Sequence, residues 1–598
     1  MTESDNMNEN ITIYSINGPV VKVKNADDLK MQETVYVGNK KLIGEVISNV
    51  DGEVTVQVYE STTGLKTGEP IERTGKPMSV TLAPGIIGNI FDGIERPLKA
   101  LEAISTPYIE TGCDVEKADT KKKYAVTVTV SEGEQISRGQ IYATCRETSR
   151  IEYRAPSTCS GTVIFAAKNG EYTISDTLIK VQTEQGTVEE LSLTQEWPIR
   201  VPRPVAERLP LSKPLITGQR NVDTMFPIAK GGAAAIPGGF GTGKTMHQHQ
   251  LAKWSDADII IYIGCGERGN EMTQVLEEFS GLIDPKTGTP LTDRTVLIAN
   301  TSNMPVAARE ASIYTGITIA EYYRDMGYDV AIMADSTSRW AEALREISGR
   351  LEEMPAEEGY PAYLPSRLAE FYERGGYVRT LGGEEASITL IGAVSPQGSD
   401  FSEPVTQNTK RFVSCFWALD KSLAYARHYP AINWMTSYSE YMDALAPWYN
   451  ENVNANFTKY RGRILRLLNE EDQLMEIVKL IGVDVLPDAQ RLVIEIAKVI
   501  RVGFLQQNAM HPIDTYMSID RQFKMMELIL YLYDEAQKII SRAVPISQLV
   551  KTGVFDSVIR LKFEIKENDD SIFNDKKQEI DKAFAAVTEE NFGSNEVK

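Results

Sequence analysis

A glycine-rich run in the middle of the chain has the residue types and spacing of a phosphate-binding loop. Its eight residues are Gly238, Gly239, Phe240, Gly241, Thr242, Gly243, Lys244 and Thr245. Glycines let backbone N–H groups converge on a polyphosphate, and a helix that begins here adds the positive end of its dipole. Lys244 supplies a charge for the β- and γ-phosphates, and the Thr245 hydroxyl is suited to Mg²⁺. The motif predicts a site for a nucleoside triphosphate.

The residues around the loop favour this interpretation over a glycine-rich turn with a chance Lys-Thr pair. Residues 233–236 are an apolar run that predicts a strand, and the segment from Thr245 to about Trp254 is compatible with a helix. A strand, a tight turn and a new helix are the order that the motif requires.

Three more candidates for chemistry follow predicted strands. Glu267 and Arg268 lie in a glycine-flanked turn after one apolar run, and Asp335 ends another. In an open parallel sheet, ligands bind beyond the carboxyl ends of the strands. We therefore expect these side chains to converge with Lys244 at one edge of a sheet.

Each of the three side chains has a distinct expected role. Asp335 has the position of a Walker B aspartate, which holds Mg²⁺. Glu267 is placed to orient or deprotonate a water in line with the γ-phosphate, and Arg268 to neutralise that phosphate or position Glu267. The alternatives are a surface-loop carboxylate for Glu267 and a surface salt bridge for Arg268, and spacing alone favours neither interpretation.

The elements that must position these residues alternate between strands and helices. The strand candidates are residues 233–236, 259–263, 295–299, 330–334 and 387–394. This alternation predicts a mostly parallel sheet covered on both faces. We assign residues 195–440 to a nucleotide-binding domain, in which the proline-rich passage 197–214 predicts an extended connector without helix or sheet.

The rest of the chain predicts a multidomain α/β protein. Residues 1–77 contain short alternating strands that predict an N-terminal β-barrel, and residues 78–110 begin the core domain and include a connector. Residues 111–194 form a second β-rich block, which we interpret as an inserted domain. Residues 441–598 have apolar residues at helical spacing and predict a C-terminal helical domain, whose charged end we expect to fray.

Composition excludes several classes of protein. A net charge of −20 disfavours a sequence-independent nucleic-acid binder, which needs a basic surface. No apolar run reaches the roughly 18 residues of a membrane span, and the acidic N-terminus is unlike a signal peptide. The five cysteines are scattered and predict reduced thiols. We expect a cytoplasmic protein.

Taken together, these motifs resemble those of one family, the catalytic A subunits of V-type and archaeal A-type rotary ATPases, which also occur in bacteria. Besides the phosphate loop, the matching segments are 195–198, 217–220, 226–232, 264–271, 333–343, 402–407 and 506–509. The block 111–194 resembles the bulge domain of the family, which the F-type beta subunit lacks.

The resemblance implies a rotary motor in which A subunits alternate with B subunits in a hexameric ring on the cytoplasmic face of the cell membrane. In such a motor Mg²⁺ and ATP or ADP bind at the A–B interface, and B contributes an arginine finger. Central and peripheral stalks couple ATP hydrolysis or synthesis to a membrane rotor that transports H⁺ or Na⁺. By the same resemblance, Lys244, Thr245, Glu267, Arg268 and Asp335 are the phosphate, metal and water-activating positions.

Some positions depart from the family pattern. Around the adenine the family presents two phenylalanines, and the matching residues here are Tyr429 and Met510. Tyrosine still stacks, whereas methionine offers a softer contact, so we expect weaker base binding with unchanged chemistry. Gly239 replaces a proline, which makes the loop less pre-ordered. Nothing physical explains Pro365, where the family has glycine.

Two alternative functions stay open at this point. One is a homohexameric ATPase, either an export-type enzyme or an RNA translocase. The long insert argues against an export-type enzyme, and the acidic net charge argues against an RNA translocase. The other is a noncatalytic nucleotide-binding ring subunit. The presence of Lys244, Thr245, Glu267 and Asp335 opposes it, because a degenerate site loses such residues.

Overall fold

The computed structural model describes residues 11–104, 109–113, 115–284, 287–565 and 570–593. The chain divides into two compact units. The first comprises Met1–Pro210, Gly231–Ala235 and Ala257–Val413, and the second comprises Leu211–Lys230, Ile236–Asp256 and Ser414–Lys598. Each unit is therefore built from segments that are distant in the sequence.

The first unit begins with a small antiparallel β-barrel. Its strands are β1 (Ile13–Asn17), β2 (Val20–Lys24), β3 (Glu33–Val37), β4 (Leu42–Val50), β5 (Glu53–Val58) and β6 (Ile71–Pro77). They lie in the order β1-β2-β5-β4-β3-β6, and a bridge between Thr12 and Pro70 joins the two edges. Valines on alternate positions, such as Val21, Val23 and Val35, fill the interior. The predicted N-terminal barrel is confirmed.

A second β-rich region follows in the same unit. Its elements are β7 (Ser79–Leu82), β8 (Ile90–Phe91), α1 (Leu98–Ile104), β9 (Tyr124–Val128), β10 (Gln135–Ile136), β11 (Ile141–Arg146), β12 (Glu152–Pro156), β13 (Gly161–Ala166), β14 (Gly170–Tyr172), β15 (Ile179–Thr183) and β16 (Val188–Leu191). Strands β9 to β16 form two four-stranded sheets, β10-β13-β15-β16 and β12-β11-β9-β14. The predicted β-rich insert is confirmed.

The proline-rich connector contains two short strands, β17 (Gln195–Pro198) and β18 (Glu207–Arg208). The prediction that it holds no sheet is therefore wrong. Strand β17 pairs with β7, and β18 pairs with residues 378–379. Pro198 ends the first strand, and the neighbouring prolines flank Glu207 and Arg208 rather than interrupting them, so the N–H groups of those residues stay available for edge pairing.

The alternating part of the chain follows. Its elements are β19 (Ala233–Pro237), α2 (Lys244–Trp254), β20 (Ile259–Glu267), α3 (Gly269–Gly281), β21 (Thr295–Thr301), α4 (Val306–Asp325), β22 (Val330–Asp335), α5 (Thr337–Arg350), α6 (Leu364–Glu373), β23 (Gly376–Arg379), β24 (Glu385–Val394) and α7 (Pro404–Lys410). Within the first unit, β24, β22, β20, β21 and β8 are parallel neighbours in that order. Residues 259–263 of β20 are entirely buried, as expected for a parallel sheet covered on both faces.

Buried ion pairs join the barrel to helix α4 within the first unit. Arg200 donates hydrogen bonds to Glu45 of β4 and to Glu310 of α4, both at 2.9 Å from Nη2. Tyr59 donates to the same Glu45. Although burial disfavours its charge, the carboxylates of Glu310 and Glu45 raise the pKa of Arg200 well above its usual value. Arg200 is therefore the shared cation of two buried carboxylates.

Replacing Arg200 with methionine should destabilise the first unit by about 3–5 kcal/mol, because Glu45 and Glu310 would stay buried without their cation. Calorimetric unfolding of the full chain measures this change. The exposed pair of Lys41 and Glu72 provides the control, since Lys41→Met should leave the unfolding temperature nearly unchanged. Equal unfolding temperatures for Arg200→Met and the parent chain would contradict the prediction.

The second unit is mainly helical beyond the phosphate loop and α2. Its remaining elements are β25 (Cys415–Phe416), α8 (Lys421–Tyr425), β26 (Tyr438–Ser439), α9 (Met442–Asn452), α10 (Phe457–Ile481), α11 (Asp488–Lys498), α12 (Ile519–Ile540), α13 (Ile546–Lys551), α14 (Val554–Arg560) and α15 (Ser571–Phe592). A π-helix, Val499–Leu505, extends α11, and a 3-10 turn, Leu561–Phe563, follows α14. The predicted C-terminal helical domain is confirmed.

The charged end of the chain forms a helix, α15, where the sequence led us to expect fraying. Ile580, Phe584 and Val587 are buried, and their spacing places them on one face of that helix. Most other residues of this segment are polar or charged, so its overall composition does not reveal the apolar stripe. Among the described residues, no helix combines the length and apolar character needed to cross a bilayer.

Candidate functional site

The predicted phosphate loop lies between β19 and α2, and its shape requires its glycines. Gly241 and Gly243 have φ angles of +78° and +90°, in the left-handed region that favours glycine. At Gly238, a Cβ atom would come within 2.6 Å of the Thr242 hydroxyl. Helix α2 begins at Lys244, directly after the second left-handed residue. The strand, turn and helix predicted for the motif are all present.

Contacts within the loop fix its polar side chains. The Thr242 hydroxyl donates to the carbonyl of Gly239 at 2.8 Å. Lys244 Nζ donates to the carbonyls of Gly238 and Gly239, at 2.7 and 3.1 Å. The ammonium is thus held over the loop. Thr245 is half-buried in the first turn of α2, and Phe240 is 83% exposed.

A cavity of about 590 Å³ adjoins the loop within the second unit. Residues 241–243 form one wall, and Tyr429 and Met510 line it as well. The ring of Tyr429 lies so near the loop that a Cβ atom on Gly243 would be 3.5 Å from it. Ligand pockets for small molecules typically measure about 300–1,000 Å³, so this one has room for a nucleotide. The structure brings the two predicted base-binding residues together with the phosphate loop.

Arg220 positions the segment that carries Met510. It is fully buried, and its guanidinium donates to the carbonyls of Phe504 at 2.6 Å and Gln506 at 2.8 Å. It also forms an ion pair with Asp514 at 2.7 Å. Burial lowers the pKa of Arg220, and Asp514 opposes that shift. The two segments matched by the resemblance, 217–220 and 506–509, therefore contact each other, which their separation in the sequence does not indicate.

The carboxylates predicted to act on metal and water lie at one sheet edge in the first unit. Strands β20 and β22 are parallel neighbours, with Gly264 opposite Asp335, and Glu267 ends β20 at the same edge. Asp335 is 2% exposed, and the hydroxyl of Tyr262 donates to its Oδ2 at 3.1 Å. The convergence of Glu267 with Asp335 is thus present in this unit. Lys244 belongs to the second unit, and its convergence with both stays a prediction.

The surroundings of Glu267 change its acidity. The pKa of Glu267 is raised to about 8 by burial, by the charge of Asp335, and by a hydrogen bond and charge repulsion from Glu271. Arg339 opposes this shift and lowers the pKa. Arg268 Nε lies 4.0 Å from a carboxylate oxygen of Glu271, on the first turn of α3. Sequence reasoning missed Glu271 and Arg339. Glu267 ends a strand and Glu271 lies in the first turn of the next helix, so helical spacing does not relate the two residues.

The carboxylate edge fits a divalent cation. Repulsion between Glu267 and Asp335 contributes to the raised pKa of Glu267, and a bound cation would relieve that repulsion. Within the described residues, no three or more His, Cys, Asp or Glu side chains form a ligand cluster. Mg²⁺ suits such a site, because proteins usually bind it through one or two carboxylates together with substrate phosphates.

Four family models match successive parts of the chain. They are the beta-barrel domain of the ATP synthase alpha/beta family at residues 13–75, the ATP synthase alpha/beta subunit barrel-sandwich domain at 115–200, the nucleotide-binding domain of the ATP synthase alpha/beta family at 218–439, and the C-terminal domain of V and A type ATP synthase at 446–550. Their order is that of the architecture described above.

Relatives match nearly the whole chain. The V-type ATP synthase alpha chain 2 of Clostridium tetani is 60% identical over 560 residues, which cover 93% of this chain and 94% of the relative. The V-type ATP synthase alpha chain of Halothermothrix orenii is 57% identical, with coverages of 96% and 98%. The A subunit of the A-type ATP synthase from Methanopyrus kandleri is 53% identical, with coverages of 97% and 98%.

A solved structure shares the fold at lower identity. The assembled ATPase EscN of the type III secretion system from enteropathogenic E. coli has a TM-score of 0.62 and 20% identity, covering 87% of this chain and 100% of that chain. This similarity shows the fold alone. The full-length identities to the V-type and A-type relatives are much higher. The chain therefore belongs to the family of V-type ATP synthase alpha chains and A-type ATP synthase A subunits.

Proposed function

We propose that this chain is the catalytic subunit of a rotary ATPase, which couples ATP hydrolysis or synthesis to the transport of H⁺ or Na⁺ across a membrane. The observation that carries the proposal is the phosphate loop, which forms one wall of a nucleotide-sized cavity with Tyr429. Membership of the V-type and A-type ATP synthase family supports the reaction and its coupling.

In this proposal each site residue has the role that the resemblance implies. The loop N–H groups and Lys244 bind the β- and γ-phosphates, and Thr245 and Asp335 hold Mg²⁺. When bound, Mg²⁺ neutralises charge on the phosphates. Glu267 accepts a hydrogen bond from the attacking water and orients it toward the γ-phosphate, while Arg268 positions Glu267 or faces that phosphate.

The acidity of Glu267 suits this role. With a pKa of about 8, its carboxyl group takes up and releases a proton near neutral pH. A general base works best when its pKa lies close to the operating pH. Glu267 must be deprotonated to accept the proton of the water, and a cation at the neighbouring Asp335 favours that form.

The proposed domains follow the sequence boundaries 1–77, 78–110, 111–194, 195–440 and 441–598. The family matches to the barrel, the nucleotide-binding domain and the C-terminal domain lie inside three of these ranges. The barrel-sandwich match begins inside the insert and extends to residue 200.

The proposed partners are B-type subunits, which alternate with this chain in a hexameric ring, and central and peripheral stalk subunits. Through them the chain would act on the cytoplasmic face of the cell membrane, next to an ion-translocating rotor. The match to the C-terminal domain of V and A type ATP synthase, at residues 446–550, supports this assembly.

The alternatives receive less support. An export-type ring shares the fold with this chain, but the identity to EscN is 20%, against 53–60% for the three V-type and A-type relatives. A noncatalytic subunit is opposed by the presence of Glu267 beside the buried Asp335 at the sheet edge, because a degenerate site loses such residues. Neither alternative accounts for both observations.

Replacing Lys244 with alanine should weaken the binding of Mg·ATP by about 10- to 150-fold, because a hydrogen bond to a charged group is worth roughly 1.5–3 kcal/mol. Titration of the full chain with a fluorescent ATP analogue measures this loss. Lys253→Ala, in the last turn of the same helix, is the matched control and should bind as the parent chain does. Equal affinities for both variants would contradict the assignment of the phosphate site.

A further inference from the structure

The nucleotide-sized cavity has an aromatic residue that neither the sequence nor the resemblance pointed to. Phe563 lines it together with Tyr429, Met510 and the phosphate loop. This residue comes from the 3-10 turn after α14, far downstream of the other walls. Phe563 is 38% exposed, so a ligand in the cavity that it lines can reach part of its surface.

Two neighbours fix the orientation of the Phe563 ring. The ring of His511 lies 4.8 Å away, centroid to centroid, at an angle of 55°. The ammonium of Lys562 lies 5.1 Å from the centroid of Phe563, within the range of a cation–π contact. An aromatic ring held in this way loses little conformational freedom when a ligand binds.

Lys562 ties the turn that carries Phe563 to another part of the cavity wall. Its side chain is buried, and Nζ donates to the carbonyls of Val502 at 2.6 Å and Gln506 at 3.1 Å. Gln506 itself lines the cavity, at the start of the segment that leads to Met510. The position of Phe563 is therefore coupled to the wall that carries Met510.

Met510 is a poorer candidate for stacking on a base. Its side chain is 76% exposed and has a flexible thioether in place of a ring. Tyr429, at 42% exposed, has its aromatic ring beside the loop. The cavity is thus lined by two partly exposed aromatic residues, Tyr429 and Phe563.

We propose that Phe563 is a specificity-determining residue that stacks on the nucleotide base together with Tyr429, and so supplies the second ring that Met510 lacks. This inference rests on the proposed function, because it assigns the base to the cavity beside the phosphate loop. It also changes the expectation drawn from the sequence: base binding need not be weak with methionine at position 510, since a ring reaches the cavity from another element.

Binding titrations of the full chain test this assignment. Phe563→Ala should weaken ATP binding by about tenfold, within the range found when an aromatic ring that stacks on a base is removed. Tripolyphosphate, which has no base, should bind the variant and the parent chain equally. Because purines stack more strongly than pyrimidines, the preference for ATP over UTP should also fall.

Further variants separate stacking from simple filling of the cavity. Phe563→Trp should keep ATP affinity within about twofold, whereas Phe563→Leu, which keeps bulk without a ring, should lose most of it. Val550→Ala is the control, because Val550 is equally exposed, at 38%, and is not among the residues that line the cavity. Thermal unfolding of each variant establishes that it is folded.

A second combination tests the relation to Met510. In the Phe563→Ala background, Met510→Phe should recover most of the lost affinity, because it returns a ring to the cavity. In the parent chain the same substitution should have a much smaller effect.

The outcomes distinguish this inference from the proposed function. If Tyr429→Ala weakens ATP binding and Phe563→Ala does not, the nucleotide site stands and the role of Phe563 is wrong. If Phe563→Ala weakens tripolyphosphate as much as ATP, the residue acts on the fold of the cavity and not on the base. If the parent chain binds no ATP, both proposals are overturned.

Discussion

The isolated chain should hydrolyse Mg·ATP about 10³–10⁵-fold more slowly than the same chain assembled with B-type and stalk subunits. The resemblance to rotary ATPases implies that an arginine from the neighbouring subunit stabilises the transition state, and an arginine finger supplied in trans is worth a factor of this size. Phosphate release at saturating ATP, measured for the chain alone and for the reconstituted complex, gives the ratio.

The comparison needs a check that the isolated chain still binds its substrate. ATP affinity should be measured on the same preparation, so that slow turnover is not confused with an empty site. Rapid hydrolysis by the chain alone, as a homo-oligomer, would contradict the trans-arginine argument and would favour a self-sufficient export-type or translocase ring.

Replacing Glu267 with glutamine should reduce turnover of the reconstituted complex by about 10²–10⁴-fold, the usual contribution of a general base, with ATP affinity nearly unchanged. Glutamine keeps the size and hydrogen-bonding capacity of the side chain but cannot accept the proton. Glu277→Gln, an exposed position on helix α3, which follows β20, is the matched control and should keep full activity. Parent-like turnover in Glu267→Gln would remove Glu267 from the mechanism.

The same variant has a second, activity-independent readout. Because the folded chain raises the pKa of Glu267 to about 8, from an ordinary value of 4.5, ionisation of this group costs stability as pH rises between these values. Glu267→Gln removes that cost. The unfolding temperature of the nucleotide-free variant should therefore exceed that of the parent chain by a margin that grows up to a pH of about 8 and then stays constant. A margin independent of pH would contradict the assigned acidity.

The parts of the site that sequence reasoning reached are those with a local signature. The phosphate loop is a contiguous motif, and its glycines are dictated by backbone geometry at Gly241 and Gly243. Glu267 and Asp335 could be found because each follows an apolar strand, and carboxyl ends of parallel strands share an edge. The barrel and the helical domain followed from alternation and helical periodicity in the same way.

What sequence reasoning missed depends on contacts between distant residues. The ion pair of Arg220 with Asp514 and the arrival of Phe563 in the cavity have no short-range pattern. Nor did proline density reveal the pairing of β18, because an edge strand of two residues needs only the N–H groups between the prolines. Composition also concealed α15, whose buried stripe is a small part of a charged segment.

The buried ammonium of Lys562 couples nucleotide binding to the position of the turn that follows α14. Through Val502 and Gln506 it links the wall of the nucleotide cavity to the turn that ends α14. If a base stacks on Phe563, its binding free energy depends on where that turn lies. A partner that displaces α14 on binding would then change the affinity for the nucleotide. Thermodynamic reciprocity requires that nucleotide binding change the affinity for that partner by the same factor.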